Sequence, residues 1–433
     1  MRALAALALC ACTGTTGTVA VELVTAPDSH VLDPVQRLRL TITQPHQVVE
    51  AARGSAGFDL VLELDATGTG GALIVEGFDA AGARVACGQS PPFAFAALNA
   101  TVKIYVAAPG SIALAPVPLG AARSGVAGAP ISYGAVLAGG IEVTPGPPPT
   151  TIASTSIAVY NAYDHSLSEG VPLPAARAGL AIAAGGGSAV YLFGGTSGDG
   201  SPTGMLWQFD TMAPPMGSFT PITDQPGFAR SGELLVAVDT THFLITGSPA
   251  LELQLGTTTS LTARSEVGGL PAAAAVSGGA TPTAVFAGAA LVRFRNDRFD
   301  TLTGDGRSDA AATTLPDGRI AVLGGTPATA DALVIDATAG TVATVSGALS
   351  TARIHPAVAT TSRRVVVAGG TDASGVPIAT ADVLDAHTLA RLATLPIVAR
   401  SGGFAVALPS DQVLLGGGAP AAAALELYTP EPP

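Results

Sequence analysis

From Val19 onward, apolar and polar residues alternate in short runs, as in Leu38, Leu40 and Ile42 with Arg39 and Thr41 between them. A period of two over five or six residues is the signature of a half-buried strand. The pattern predicts strands at Val19–Val24, Leu38–Ile42, Phe58–Leu64, Ala72–Phe78, Ala83–Cys87 and Val102–Ala107, divided by Gly, Pro and Asp clusters. Six short strands at that spacing point to a small antiparallel sandwich over residues 19–109.

Beyond Ala108-Pro109-Gly110 the pattern becomes a repeat. Its first statement, Arg123 to Gly140, is an arginine, an apolar strand, a turn, a second apolar strand and a glycine doublet. Arginine and first glycine recur as Arg123 and Gly139, Arg177 and Gly194, Arg307 and Gly324, Arg353 and Gly369, and Arg400 and Gly416, always 16 or 17 residues apart. A weaker copy joins Arg230 to Thr246-Gly247, and an eroded one near Pro271 to Gly288 lacks the arginine. Two further strands follow each doublet, the third often ending in an aromatic residue or Asp, as at Tyr160, Asp210, Asp336, Asp385 and Tyr428. Four strands per unit, repeated seven times, is the pattern of a propeller.

These units resemble kelch-type repeats in their glycine doublet, the arginine between units and the third-strand tyrosine or aspartate. The resemblance implies an all-β chain with a seven-bladed kelch-type β-propeller over residues 110–433, preceded by the sandwich, which is only loosely immunoglobulin-like. The family's fourth-strand tryptophan is missing, and the single Trp207 falls in a third strand. The last copy has room for three strands, so residues 112–117 (Ile-Ala-Leu-Ala-Pro-Val) are expected to supply its fourth and close the ring. An unpaired edge there would otherwise invite association.

Composition narrows the function. Net charge is −12 and Lys103 is the only lysine, which argues against nucleic-acid binding and removes any P-loop. Arg2 followed by an apolar Ala3–Leu9 reads as a signal segment, too short to span a membrane. Leu9-Cys10-Ala11-Cys12 resembles a bacterial lipobox. That resemblance implies cleavage after residues 1–11, lipidation of Cys12, a tether over 12–18, and a place in the bacterial cell envelope, at the outer membrane. An unanchored, secreted protein is the alternative. Cys87 would then be the only thiol left, so no internal disulfide is expected.

The candidate ligand-binding residues are Arg123, Arg177, Arg230, Arg307, Arg353 and Arg400. Fourth-to-first loops converge at one mouth of a propeller channel, where six guanidiniums could grip an anionic peptide or a sugar. Bonding to loop carbonyls or a neighbouring carboxylate is the competing role, and repetition in every unit favours it. The long segments Ile141–Ser156, Thr196–Thr203 and Met212–Gly227 are candidate recognition loops. Asn296, Asp297, Asp300, Asp305 and Asp309 form an oxygen-rich stretch that turn chemistry explains without a metal.

No catalytic constellation emerges. The six histidines show no zinc-ligand spacing, and no Gly-x-Ser-x-Gly elbow is present. Copper-radical propellers of the galactose oxidase kind need a propeller cysteine, and residues 110–433 contain none. The expectation is a monomeric, cofactor-free binding or scaffold module for a protein or glycan, not an enzyme. A glycan-active or oxidising enzyme at the channel mouth is the alternative.

Overall fold

The computed structural model describes residues 16–432, apart from 56–57, 59–60, 66–69, 95–99, 145, 147–149 and 279–280. Cys12 and the signal segment lie outside the described residues. The fold is all-β: the described residues form strands, turns and one short 3-10 turn, Pro226–Phe228, with no α-helix.

Residues 16–105 build two main sheets and a two-residue pairing of Gly70–Gly71 with Phe93–Ala94. Gln47–Ala52, Arg37–Ile42, Leu73–Phe78 and Arg84–Gln89 make the four-stranded one, and Val61–Asp65, Thr16–Val24 and Ala100–Tyr105 the three-stranded one. Val19, Val21, Val102 and Ile104 of one pack against Leu38, Leu40, Leu73 and Val75 of the other, so the two sheets share a core. Three expectations need correction. Thr16–Thr18, expected in the tether, are strand backbone. Thr16–Val24 and Ala100–Tyr105 pair parallel, not antiparallel. Gln47–Ala52 is a strand that periodicity missed, because it lies at a sheet edge with both faces largely exposed.

Seven four-stranded units follow, every neighbouring pair of strands antiparallel. Their first strands are Ala127–Ile131, Ala181–Ala184, Leu235–Ala237, Ala274–Ser277, Ala311–Thr314, Ala357–Thr360 and the last part of Arg391–Ala407. Each first strand contacts the next, and the seventh contacts the first. Arg391–Ala407 is continuous: its first half is the outer strand of unit six and its second half the inner strand of unit seven.

The second strands read as unbroken apolar runs because both faces are covered. In Gly134–Ala138, Ala135 and Leu137 face unit seven, while Val136 and Ala138 face unit two. The same division recurs at every junction, so seven apolar clusters bind the seven units. The outer strands carry the polar positions, as in Thr341–Val345.

The last unit takes its outer strand from the start of the repeat region. Ser111–Leu114 pairs antiparallel with Glu426–Thr429, and Ala115 N–H continues the ladder to Leu425 O at 2.8 Å. Ile141–Ser156 contains a hairpin, Ile141–Thr144 with Thr150–Ala153, rather than an open loop. Met212–Gly227 contains Ser218–Asp224, the outer strand of unit two.

Candidate functional site at the doublet end of the ring

In units one, two, five and six the second strand ends immediately before the glycine doublet, at the same end where the outer strand hands over to the next arginine. Both doublet glycines have φ between 60° and 113° in units one, two, five and six. In unit seven that geometry belongs to Gly417 and Gly418, one residue later than the sequence suggested, because Val413–Ala419 runs on through Gly416.

The doublet and arginine form a clasp between units. Gly140, Gly195, Gly325 and Gly370 donate their N–H to the carbonyls of Arg177, Arg230, Arg353 and Arg400, at 2.8–3.0 Å. A Cβ on the preceding glycine would meet that same carbonyl, at 2.6, 2.5, 2.5 and 2.4 Å for Gly139, Gly194, Gly324 and Gly369. Gly369→Ala is therefore expected to cost about 2 kcal/mol, from its φ of +62° and this collision. Urea melts of the two proteins check it, and an unshifted midpoint would count against the clasp.

The arginine side chains complete the clasp from within their own unit. Arg123 Nη1 donates to Gly139 O at 2.7 Å and Ser156 O at 3.2 Å. Arg230 Nη1 donates to Thr246 O and Pro249 O, both at 2.8 Å. Arg353 reaches Gly369 O and Thr380 O at 3.0 and 3.1 Å and pairs with Asp382 at 2.7 Å. Arg400 pairs with Glu426, and Arg307 donates to Asp331 O. Arg177 makes one carbonyl bond, to Ala176, and lies 5.1 Å from the Trp207 ring centre. That stacking gives Trp207 its place in a third strand, at the position Asp382 and Glu426 hold in units six and seven.

All but Arg230 are buried, and burial pushes the guanidinium pKa values down. The structure thus engages these side chains within the units instead of presenting them as a ring at the mouth. Leu270, buried at 3% exposure, stands where the eroded fourth unit lacks an arginine, and its carbonyl still accepts from Gly247 N–H at 2.7 Å. It precedes Ala287-Gly288 by the same interval, a signal present in the sequence.

Beside the clasps at the doublet end lies a cavity of about 750 Å³, walled by residues of units three to seven such as Leu234, Pro271, Ala273 and Ala310. Two residues beyond each arginine the chain turns through positive φ. Gly125, Gly179, Gly232 and Gly402 fill that position in four units, but Asp309 and His355 fill it in units five and six, at φ of 55° and 51°. Non-glycine residues adopt this conformation at a cost that recurs at functional sites. A Cβ at Gly125, Gly232 or Gly402 would meet nothing within 4 Å, so those glycines leave the mouth open. Asp309 and His355 line the cavity and touch each other, His355 Nε2 lying 3.2 Å from Asp309 Oδ1. Thr326 Oγ1 donates to Asp309 Oδ2 at 3.0 Å, and His355 N–H donates to Asp309 O at 2.8 Å.

The rest of the oxygen-rich stretch disperses. Asp297 pairs with Arg264 and Asp300 with Arg293, both at 2.7 Å. Among the described residues no three His, Cys, Asp or Glu side chains converge as metal ligands. Cys87 is buried and free, with its thiol pushed up to about 12 by desolvation, which makes it a poor nucleophile. The chain matches no family model and no curated protein.

Proposed function

We propose that the chain is a lipid-anchored binding module of the bacterial cell envelope: a seven-bladed kelch-type β-propeller carried on an immunoglobulin-like sandwich. The observation that carries the reading is the cyclic contact of seven four-stranded units, five of which line one open cavity. A rigid ring with its loops gathered at one end is a scaffold for recognition, not for motion. The pairing of Ser111–Leu114 with Glu426–Thr429 supports ring closure without a disulfide. The six arginines are held by carbonyls, carboxylates or the Trp207 ring, so recognition falls to the cavity and its rim.

One observation favours an enzyme, the Asp309–His355 pair, since a carboxylate beside an imidazole can orient a general base. The hydroxyl that contacts the pair, Thr326 Oγ1, donates to Asp309 and not to His355, and the binding reading requires fewer groups. The anchor is tested by growing expressing cells with radioactive palmitate. Label is expected in the membrane fraction and lost with Cys12→Ser, which should release the protein; equal labelling of both would sink the anchor.

A further inference from the structure

We propose that the cavity at the doublet end binds a cationic peptide segment, its lysine or arginine side chain seated against Asp309. The proposal rests on the binding reading above and specifies the partner. Inspection of the arginine repeat alone suggests the opposite, an anion gripped by a ring of guanidiniums. The structure reverses the sign. Arg123, Arg353 and Arg400 are at most 1% exposed. Arg230 gives two bonds to carbonyls through Nη1. Arg264 is neutralised by Glu252, Glu266 and Asp297.

The cavity therefore meets its ligand through a carboxylate, an imidazole and walls of small residues. Asp309 and His355 are about half exposed, with side-chain exposures of 44% and 57%. Among the described residues, Asp309 Oδ1 has the imidazole beside it and Oδ2 accepts from Thr326. Both oxygens retain lone pairs for an incoming ammonium or guanidinium group. Asp305 and Asp199 are exposed in loops at the same end, and the chain carries net charge −12. A mouth of this polarity attracts cations and repels acidic partners. The mouth of about 750 Å³ exceeds what one side chain fills, leaving room for flanking backbone against the Ala and Pro walls.

The test uses the mature protein in detergent and three fluorescein-labelled peptides of equal length, rich in Lys and Arg, in Asp and Glu, or in Ser and Gly. Fluorescence anisotropy is expected to show binding of the basic peptide at least about tenfold tighter than the others, weakening with salt. Asp309→Asn removes the charge while suiting the left-handed backbone, and should weaken that binding about tenfold. Asp317→Asn, in the loop between the first two strands of unit five at the opposite end, makes the same change in net charge and should leave it unaltered. Equal losses from both variants would overturn the proposal, by reducing it to bulk charge. Binding of the acidic or neutral peptide, or of a glycan, that Asp309→Asn weakens would also overturn it, while keeping the mouth as a binding site. No binding of any ligand at millimolar concentration would overturn both readings.

Discussion

Arg353→Ala is expected to destabilise the protein by about 3–5 kcal/mol, because it strands a carboxylate in the interior. Arg353 and Asp382 both have fully buried side chains. Without the guanidinium, Asp382 keeps only Ser350 N–H at 3.0 Å and the Thr394 hydroxyl at 2.7 Å. Gly369 O loses the guanidinium donor at the same time, and Thr380 O is left with the Gly369 N–H at 3.1 Å alone. Denaturant melts of three variants separate the pair from the clasp. Arg177→Ala should cost about 1 kcal/mol, since one carbonyl bond and a stacked Trp207 depend on it. Arg353→Met with Asp382→Leu should recover much of the loss, because well-packed apolar residues often replace a buried ion pair without penalty. If Arg353→Ala and Arg177→Ala cost the same, the charge pair does not govern unit six.

That contrast shows where the sequence was legible. The interval from Arg123 to Gly139, kept in unit after unit, reports a backbone constraint: a carbonyl that tolerates no Cβ beside it and a side chain that must reach back to the same turn. Such a constraint survives drift, so strand order and the partner of the last strand could be read directly. The partner of each arginine could not. Asp382, Glu426 and Trp207 occupy one position in three units and satisfy the same cation by different means. Counting arginines therefore suggested a ligand site, whereas their environment makes them internal. Asp309 stands out in the sequence only as part of an oxygen-rich stretch, and its pairing with His355 was missed for a related reason. Their significance lies in replacing Gly125, Gly179, Gly232 and Gly402 at a left-handed turn, and the turn is visible only once φ is known. The signal was nevertheless present: two residues after the arginine, four units have glycine and two do not.

A second large effect is expected from acid, at the joint between the N-terminal sheets and the ring. His165 is buried, with φ of 56°; its Nε2 accepts from Tyr105 N–H at 3.0 Å and its Nδ1 lies 2.9 Å from the Tyr160 hydroxyl. Tyr105 ends the last strand of the three-stranded sheet, and Tyr160 lies in the third strand of unit one. Accepting at Nε2 leaves the proton of the neutral ring on Nδ1, facing Tyr160. Desolvation moves the imidazole pKa down from 6.5 to about 4, Asp164 opposing the shift and Lys103 assisting it. In the unfolded chain the ring takes its proton near 6.5, so between that pH and about 4 the unfolded state binds more protons than the folded one. Stability is thus complete above 6.5 and falls as the pH drops through this window, by up to about 3 kcal/mol at its lower end. Melting temperatures from pH 7 to pH 4 should trace this decline, and the decline should flatten in His165→Asn, each protein being referred to its own value at pH 7. Asparagine suits the left-handed turn and carries no proton in this range; its shorter side chain gives up the Tyr105 N–H bond at every pH, which lowers the baseline and not the slope. An NMR titration placing the His165 imidazole near 6.5 in the folded protein would remove the basis of the effect, since protonation of a ring whose Nε2 accepts a backbone N–H must break that bond. The joint that Tyr105 and Tyr160 make around His165 is therefore where acid should first loosen the N-terminal sheets from the ring.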